Sequence, residues 1–118
     1  AMLSFLAAAC VATAPVGNYC GSDLIGNVLR FQMRPTYLAT VNATFSGVFY
    51  SCPDEPFIYR PQNNGSVTFS LLGTPNDCLT RMRLSLGHVS MDAHFDPVAN
   101  VLHVDIDTGI NIDCPSCA

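Results

Sequence analysis

The sequence predicts an all-β protein: a single antiparallel meander of about eight or nine short strands, closed as a small barrel or folded as a two-sheet sandwich, and stapled by disulfides. Three observations predict it. Apolar residues recur with a period of two along most of the chain, which places alternate side chains on one face of a strand. Turn chemistry separates the periodic runs at short intervals. Six cysteines, at positions 10, 20, 52, 78, 114 and 117, fall within 118 residues, as in the disulfide framework of a small secreted domain.

The first fourteen residues, Ala1 to Ala14, are uncharged and almost all apolar or small, and they end Ala12-Thr13-Ala14. They read as a secretory signal peptide or its remnant, although no basic residue precedes the run and Pro15 follows its small-residue exit. The run breaks at Pro15-Val16-Gly17, short of the roughly 20 apolar residues of a spanning helix. Residues 15–118 are then one all-β domain.

The strands follow in order. Leu29, Phe31 and Met33 alternate with Arg30, Gln32 and Arg34, and Tyr37, Ala39, Val41, Ala43 and Phe45 alternate with Leu38, Thr40, Asn42 and Thr44. Val67, Phe69 and Leu71 alternate with Ser66, Thr68 and Ser70. Cys78, Met82, Leu84 and Leu86 alternate with Leu79, Arg81, Arg83 and Ser85. Val89, Met91, Ala93 and Phe95 alternate with Ser90, Asp92 and His94, and Leu102, Val104 and Ile106 alternate with His103 and Asp105. Between them, Asn63-Asn64-Gly65 favours positive φ in a tight turn. Asp96-Pro97-Val98-Ala99-Asn100 reads as a loop on a type I turn. Arg34-Pro35-Thr36, Cys52-Pro53-Asp54-Glu55-Pro56, Gly73-Thr74-Pro75-Asn76 and Asp107-Thr108-Gly109 read likewise, with a short helical turn allowed at 22–26.

Removal of the leader takes Cys10 and leaves five thiols: Cys20, Cys52, Cys78, Cys114 and Cys117. Cys52 and Cys78 each adjoin a turn and are expected to staple two strand ends; Cys20 is expected to pair with Cys114 or Cys117. Closing such long loops stabilises by about 3 to 5 kcal/mol each. The odd cysteine leaves a free thiol or a disulfide-linked dimer. Cys114-Pro115-Ser116-Cys117 has the C-x-x-C spacing of a redox pair or half a zinc site, but neither an α/β unit nor a second ligand pair accompanies it, so it reads as a terminal staple.

Nine acidic residues stand against five arginines, with no lysine, and charged residues make up 12% of the chain. A nucleic-acid partner needs a basic stripe, which is absent, and an anionic membrane surface is disfavoured for the same reason. Two sequons, Asn42-Ala43-Thr44 and Asn64-Gly65-Ser66, support a secretory route. Asn42 falls on a polar strand face and Asn64 on a turn tip, both open to a glycan.

The opening Gly17-Asn18-Tyr19 of a secreted meander resembles the calycin group, the lipocalin and fatty-acid-binding barrels, whose first strand carries G-x-W; Tyr19 stands where that Trp would be. The chain departs from that pattern in having no Trp, no later T-D-Y-like element and a shorter length. The resemblance implies a barrel with a central cavity for an apolar ligand.

Among chemistry-bearing residues, the hairpin of 89–95 and 101–107 is the most specific. To keep its apolar sets on one face, Phe95 must face Leu102, which puts His94 opposite His103 and Asp92 opposite Asp105 on the polar side. Those four are the candidate ligands of a zinc or copper ion, against the plainer reading of a solvated polar face. No nucleophile motif or cofactor motif appears, and Asp54-Glu55 between two prolines reads as a loop rather than a glycosidase pair. Phe31, Met33, Phe45, Phe69, Met82, Met91 and Phe95 are the candidates for lining an apolar cavity, if the interior is hollow. Two non-enzymatic functions are expected: a secreted carrier of a small apolar molecule, or an extracellular protein-interaction module acting through its loops.

Overall fold

The computed structural model describes residues 13–87, 90–107 and 109–118; the leader therefore lies almost wholly outside the described residues, as do His88, Val89 and Thr108. The chain is a closed eight-stranded barrel in which each strand pairs antiparallel with the next and the last returns to the first. The strands are β1 (Gly17–Ser22), β2 (Val28–Met33), β3 (Leu38–Phe45), β4 (Val48–Arg60), β5 (Ser66–Phe69), β6 (Met91–Asp96), β7 (Val101–Ile106) and β8 (Ile110–Cys117). Among the described residues one helix, α1 (Cys78–Ser85), lies in the β5–β6 connection. Antiparallel order puts alternate connections at opposite ends. The β2–β3, β4–β5 and β6–β7 turns form a loop end; the β1–β2, β3–β4 and β7–β8 turns share the other, the helix end, with α1.

Strict alternation makes the barrel close around side chains. β2 buries Leu29, Phe31 and Met33, and β3 buries Ala39, Val41, Ala43 and Phe45. Their register sets large against small, Met33 opposite Ala39, Phe31 opposite Val41 and Leu29 opposite Ala43. This is how a narrow eight-stranded barrel is filled to native density. Ring contacts continue the filling: Phe31 stacks on Phe69 at 6.1 Å, and Tyr19 meets Phe95 edge-on at 5.6 Å.

The β1–β8 seam closes the barrel through Asn18 opposite Cys117 and Tyr19 opposite Ser116. Gly21 is required there, because a Cβ at this position would lie 2.3 Å from the Asp113 carbonyl oxygen. The Cys20–Cys117 disulfide staples the same seam, and Cys52–Cys78 ties β4 to α1. Cys114 is corrected: it takes no part in the framework and is a free, fully buried thiol.

Two further corrections concern local structure. The 78–86 run expected as a strand is α1, with Leu86 following it as its C-cap. Asp77 is its N-cap and accepts from the Thr80 backbone N–H. Leu79, Met82 and Leu86 recur at helical spacing and face the core, whereas Leu84, apolar on the strand reading, is 60% exposed. The other correction is at 52–56, where the expected turn is a bulge inside β4. Val41 pairs with Cys52 and Ala39 with Glu55, so β4 carries one residue more than β3 across this interval. Asp54 absorbs it at φ 55°. The phase of the strand flips at the bulge: Cys52 is buried, then Glu55 and Phe57. Glu55 is thereby turned from the outer face to the inner one.

The remaining turns follow their chemistry. Asn64 and Gly65 have φ of 55° and 67°, and Gly65 admits no side chain because Phe95 O would lie 2.3 Å from its Cβ. Asp96 Oδ1 accepts from Val98 N and Ala99 N, holding the β6–β7 loop. In place of a helical turn at 22–26, Asp23 holds the β1–β2 turn, accepting from Ile25 N and Asn27 N.

Candidate functional site

The candidate site is an open cleft of about 380 Å³ at the rim of the loop end. It is built where β4, β5, β6 and β7 converge, from Tyr59 and Pro61, Asn64 and Gly65 of the β4–β5 turn, His94 to Pro97, and His103. The β6–β7 register is the one required by the apolar pattern: Phe95 faces Leu102, His94 faces His103 and Asp92 faces Asp105. Across that rung the two imidazoles stack, centroids 5.0 Å apart and planes 27° from parallel. Nδ1 of His103 is 2.6 Å from Asp113 Oδ1 on β8, its partner at Asp113↔His103 in the register. The carboxylate fixes the ring, so Nε2 of His103 is directed away from Asp113.

A second, smaller cleft of about 210 Å³ adjoins the first across Phe95 and Pro97, and is bounded by Val16, Tyr19 and Asn100. Tyr19 Oη donates to Asn100 Oδ1 at 2.8 Å, so the β6–β7 loop that separates the clefts is anchored to β1. Val98 at the tip of that loop is 96% exposed.

His94, His103, Asp92 and Asp105, the candidate metal ligands, sit on neighbouring rungs of this hairpin. His103 turns to Asp113 rather than to Asp105. Among the described residues, no group of three or more His, Cys, Asp or Glu side chains is placed to hold a metal ion. Asp113 was missed although Ile110, Ile112 and Cys114 alternate with Asn111, Asp113 and Pro115, a period that marks this strand and sets Asp113 on its outer face.

The side chains expected to line an apolar cavity lie inside the barrel. Phe31, Met33, Phe45, Phe69, Met82 and Phe95 form the core with at most 5% of their surface exposed, and Met91 packs against them partly buried. Side chains lining a ligand-sized void would retain surface toward it; these pack on one another. Cys114 is buried among them, and burial and the neighbouring Asp113 charge push its thiol up to about 12. Cys10 lies outside the described residues.

Of the two sequons, Asn64 is exposed at the cleft edge. Asn42 is half-buried on the outer face of β3, and its Oδ1 accepts from Ser51 Oγ at 2.6 Å. No helix among the described residues is long and apolar enough to cross a membrane. No family model, curated protein or solved structure matches the chain.

Proposed function

We propose that the protein is a secreted, non-enzymatic recognition module that binds an extracellular protein through the rim of its loop end, and that it carries a glycan at Asn64. The observation that carries this reading is the division between a filled interior and clefts on the outside. A carrier needs the reverse. The rim has interface chemistry: Tyr59, the stacked imidazoles, two prolines and an exposed Val98, with Asn64 and Asp96 as polar groups. Two disulfides in a domain of this size support an oxidising compartment. The calycin-like reading keeps the strand number and up-and-down order in its favour, without the cavity.

The test is binding of the labelled secreted protein to cell surfaces and immobilised matrix proteins, compared with a Tyr59→Ala/His94→Ala variant. The double variant should lose most of the binding while keeping its fold by circular dichroism. Equal binding by both proteins would remove the rim from consideration. An apolar mass retained in native mass spectrometry would return the function to the interior.

A further inference from the structure

Glu55 takes no part in the rim. The bulge at Asp54 turns it inward, opposite Ala39, where it is 4% exposed. Its Oε1 has no hydrogen-bond partner. Its carboxyl is hydrogen-bonded to that of Asp77, itself buried at the N-terminus of α1. Asp77 also accepts from Thr80 N at 3.3 Å and from Thr80 Oγ1 at 3.5 Å. A hydrogen bond between two carboxyls needs a proton held between them, and the burial of both groups disfavours losing it. Close by, the Cys52–Cys78 disulfide joins the same strand to the residue after Asp77. The segment 70–87 is thus tied to β4 by the disulfide, by the carboxyl pair and by Ser70 N donating to Pro56 O, and it packs on the core through Leu79 and Met82.

We propose that Glu55 and Asp77 form a proton-held latch on a lid, residues 70–87, that closes the helix end of the barrel. With the proton in place the lid is shut. Without it two carboxylates face each other out of water, and the lid swings on its disulfide. Beneath it lie Phe45, Met91 and Ile106, which meet Met82 and Leu86 of the lid in a tight apolar seam. Opening exposes that seam and a path to the interior. β5 is four residues long and ends at Phe69, so no strand ladder holds this segment to β4 beyond Ser70 N donating to Pro56 O.

Asp54 points outward and pairs with Arg34 of the β2–β3 turn. On the lid, Arg81 is exposed and Arg83, half-buried, borders the apolar seam beside Met82 and Leu86. Cys52 and Cys78 are bonded to each other and do not titrate. Asp77 is the charge that acts on Glu55; burial first, then the Asp77 hydrogen bond and charge, push its pKa from 4.5 up to about 7. The sign follows. A lid-open Glu55 ionises near 4.5 and a lid-closed one near 7, so opening gains tenfold per pH unit between those values and levels off above.

The test is hydrogen exchange by mass spectrometry on peptides covering 71–87, corrected for intrinsic exchange, from pH 5 to neutrality and beyond, with β2–β3 peptides as the internal reference. Lid protection should fall on the order of 100-fold across the window while the reference peptides hold. Glu55→Gln, which cannot ionise, should remain protected throughout. A lid protection independent of pH, or the same slope in Glu55→Gln, would overturn the latch. Should that variant fail to fold, the Glu55 carboxyl carbon is followed by NMR in the native protein. Titration in the ordinary glutamate range would overturn the proposal equally.

Discussion

Replacing Glu55 by Gln should make the protein more stable at neutral pH and abolish most of the pH dependence of its stability between about 4.5 and 7. The unfolded chain ionises Glu55 near 4.5, the folded one near 7. In that window the folded state holds a proton the unfolded state has lost, so stability is fully present below 4.5 and is lost as pH rises toward 7. Each pKa unit corresponds to about 1.4 kcal/mol, so the full loss is about 3 kcal/mol, a large part of the roughly 5–15 kcal/mol that holds a domain of this size. Urea unfolding at a series of pH values measures it: the wild-type midpoint should fall across the window and the Glu55→Gln midpoint should stay level, with slopes m unchanged. If the lid opens before the barrel unfolds, the loss stops at the free energy of opening, and the shortfall from about 3 kcal/mol measures that opening. Asp23 acts in the opposite sense and at lower pH. Desolvation raises its pKa, but hydrogen bonds from Asn27 and Ile25 outweigh this and hold it below the ordinary 3.8, so its contribution disappears only on acidification. Parallel pH profiles for wild type and Glu55→Gln would refute the reasoning outright.

The two disulfides should differ in worth. Cys20–Cys117 spans 97 residues and Cys52–Cys78 spans 26, so chain entropy gives about 4.7 and 3.5 kcal/mol respectively; Cys→Ala pairs compared by thermal or urea unfolding should rank in that order, and the reverse ranking would place native-state contacts above loop entropy. Removing Cys52–Cys78 should in addition raise exchange in 71–87 at every pH, since the lid then loses its covalent tie to β4 and keeps only its packing and the carboxyl pair. Cys114 should resist alkylation in the folded protein at mildly alkaline pH and react once guanidinium is added, as peptide mapping would read; ready labelling of the native protein would contradict its place in the core.

Periodicity made most of the barrel legible. Where one face is wet and the other buried, alternation reports both the strand and its register, and β6–β7 paired as Phe95, Leu102 and the two histidines demanded. The failures came where two signals share residues. Met82 and Leu86 fit a period of two as well as a helical one, and the tie was broken by Asp77, whose side chain caps Thr80 N. Pro53 and Pro56 concealed a strand, because Pro53 lies in the bulge and Pro56 lies beyond the last β4–β5 pair, Phe57 with Phe69, where no ladder bond needs its N–H. Ser46-Gly47 was passed over as a turn, yet both residues take positive φ and join β3 to β4 in two residues. The four-ligand metal reading placed the correct side chains on one face, but pairwise register cannot say which neighbour an imidazole will choose; β8 supplied Asp113 from the other side.

A barrel of eight strands encloses only enough room for its own side chains unless small residues are spent on a void. Here the small residues, Ala39, Ala43 and Ala93, face large ones across the ladders and inside the barrel, so the space they leave is already taken. Binding must then occur on the rim, or after part of the wall moves. Both features adjoin the same weak seam. β5 meets β6 through Ser66 opposite His94 and Val67 opposite Ala93, with Gly65 bonded to Phe95 beyond them. At one end of this short strand its turn shapes the cleft; at the other the chain leaves the sheet and becomes the lid. A full-length β5 would have completed the wall and left neither.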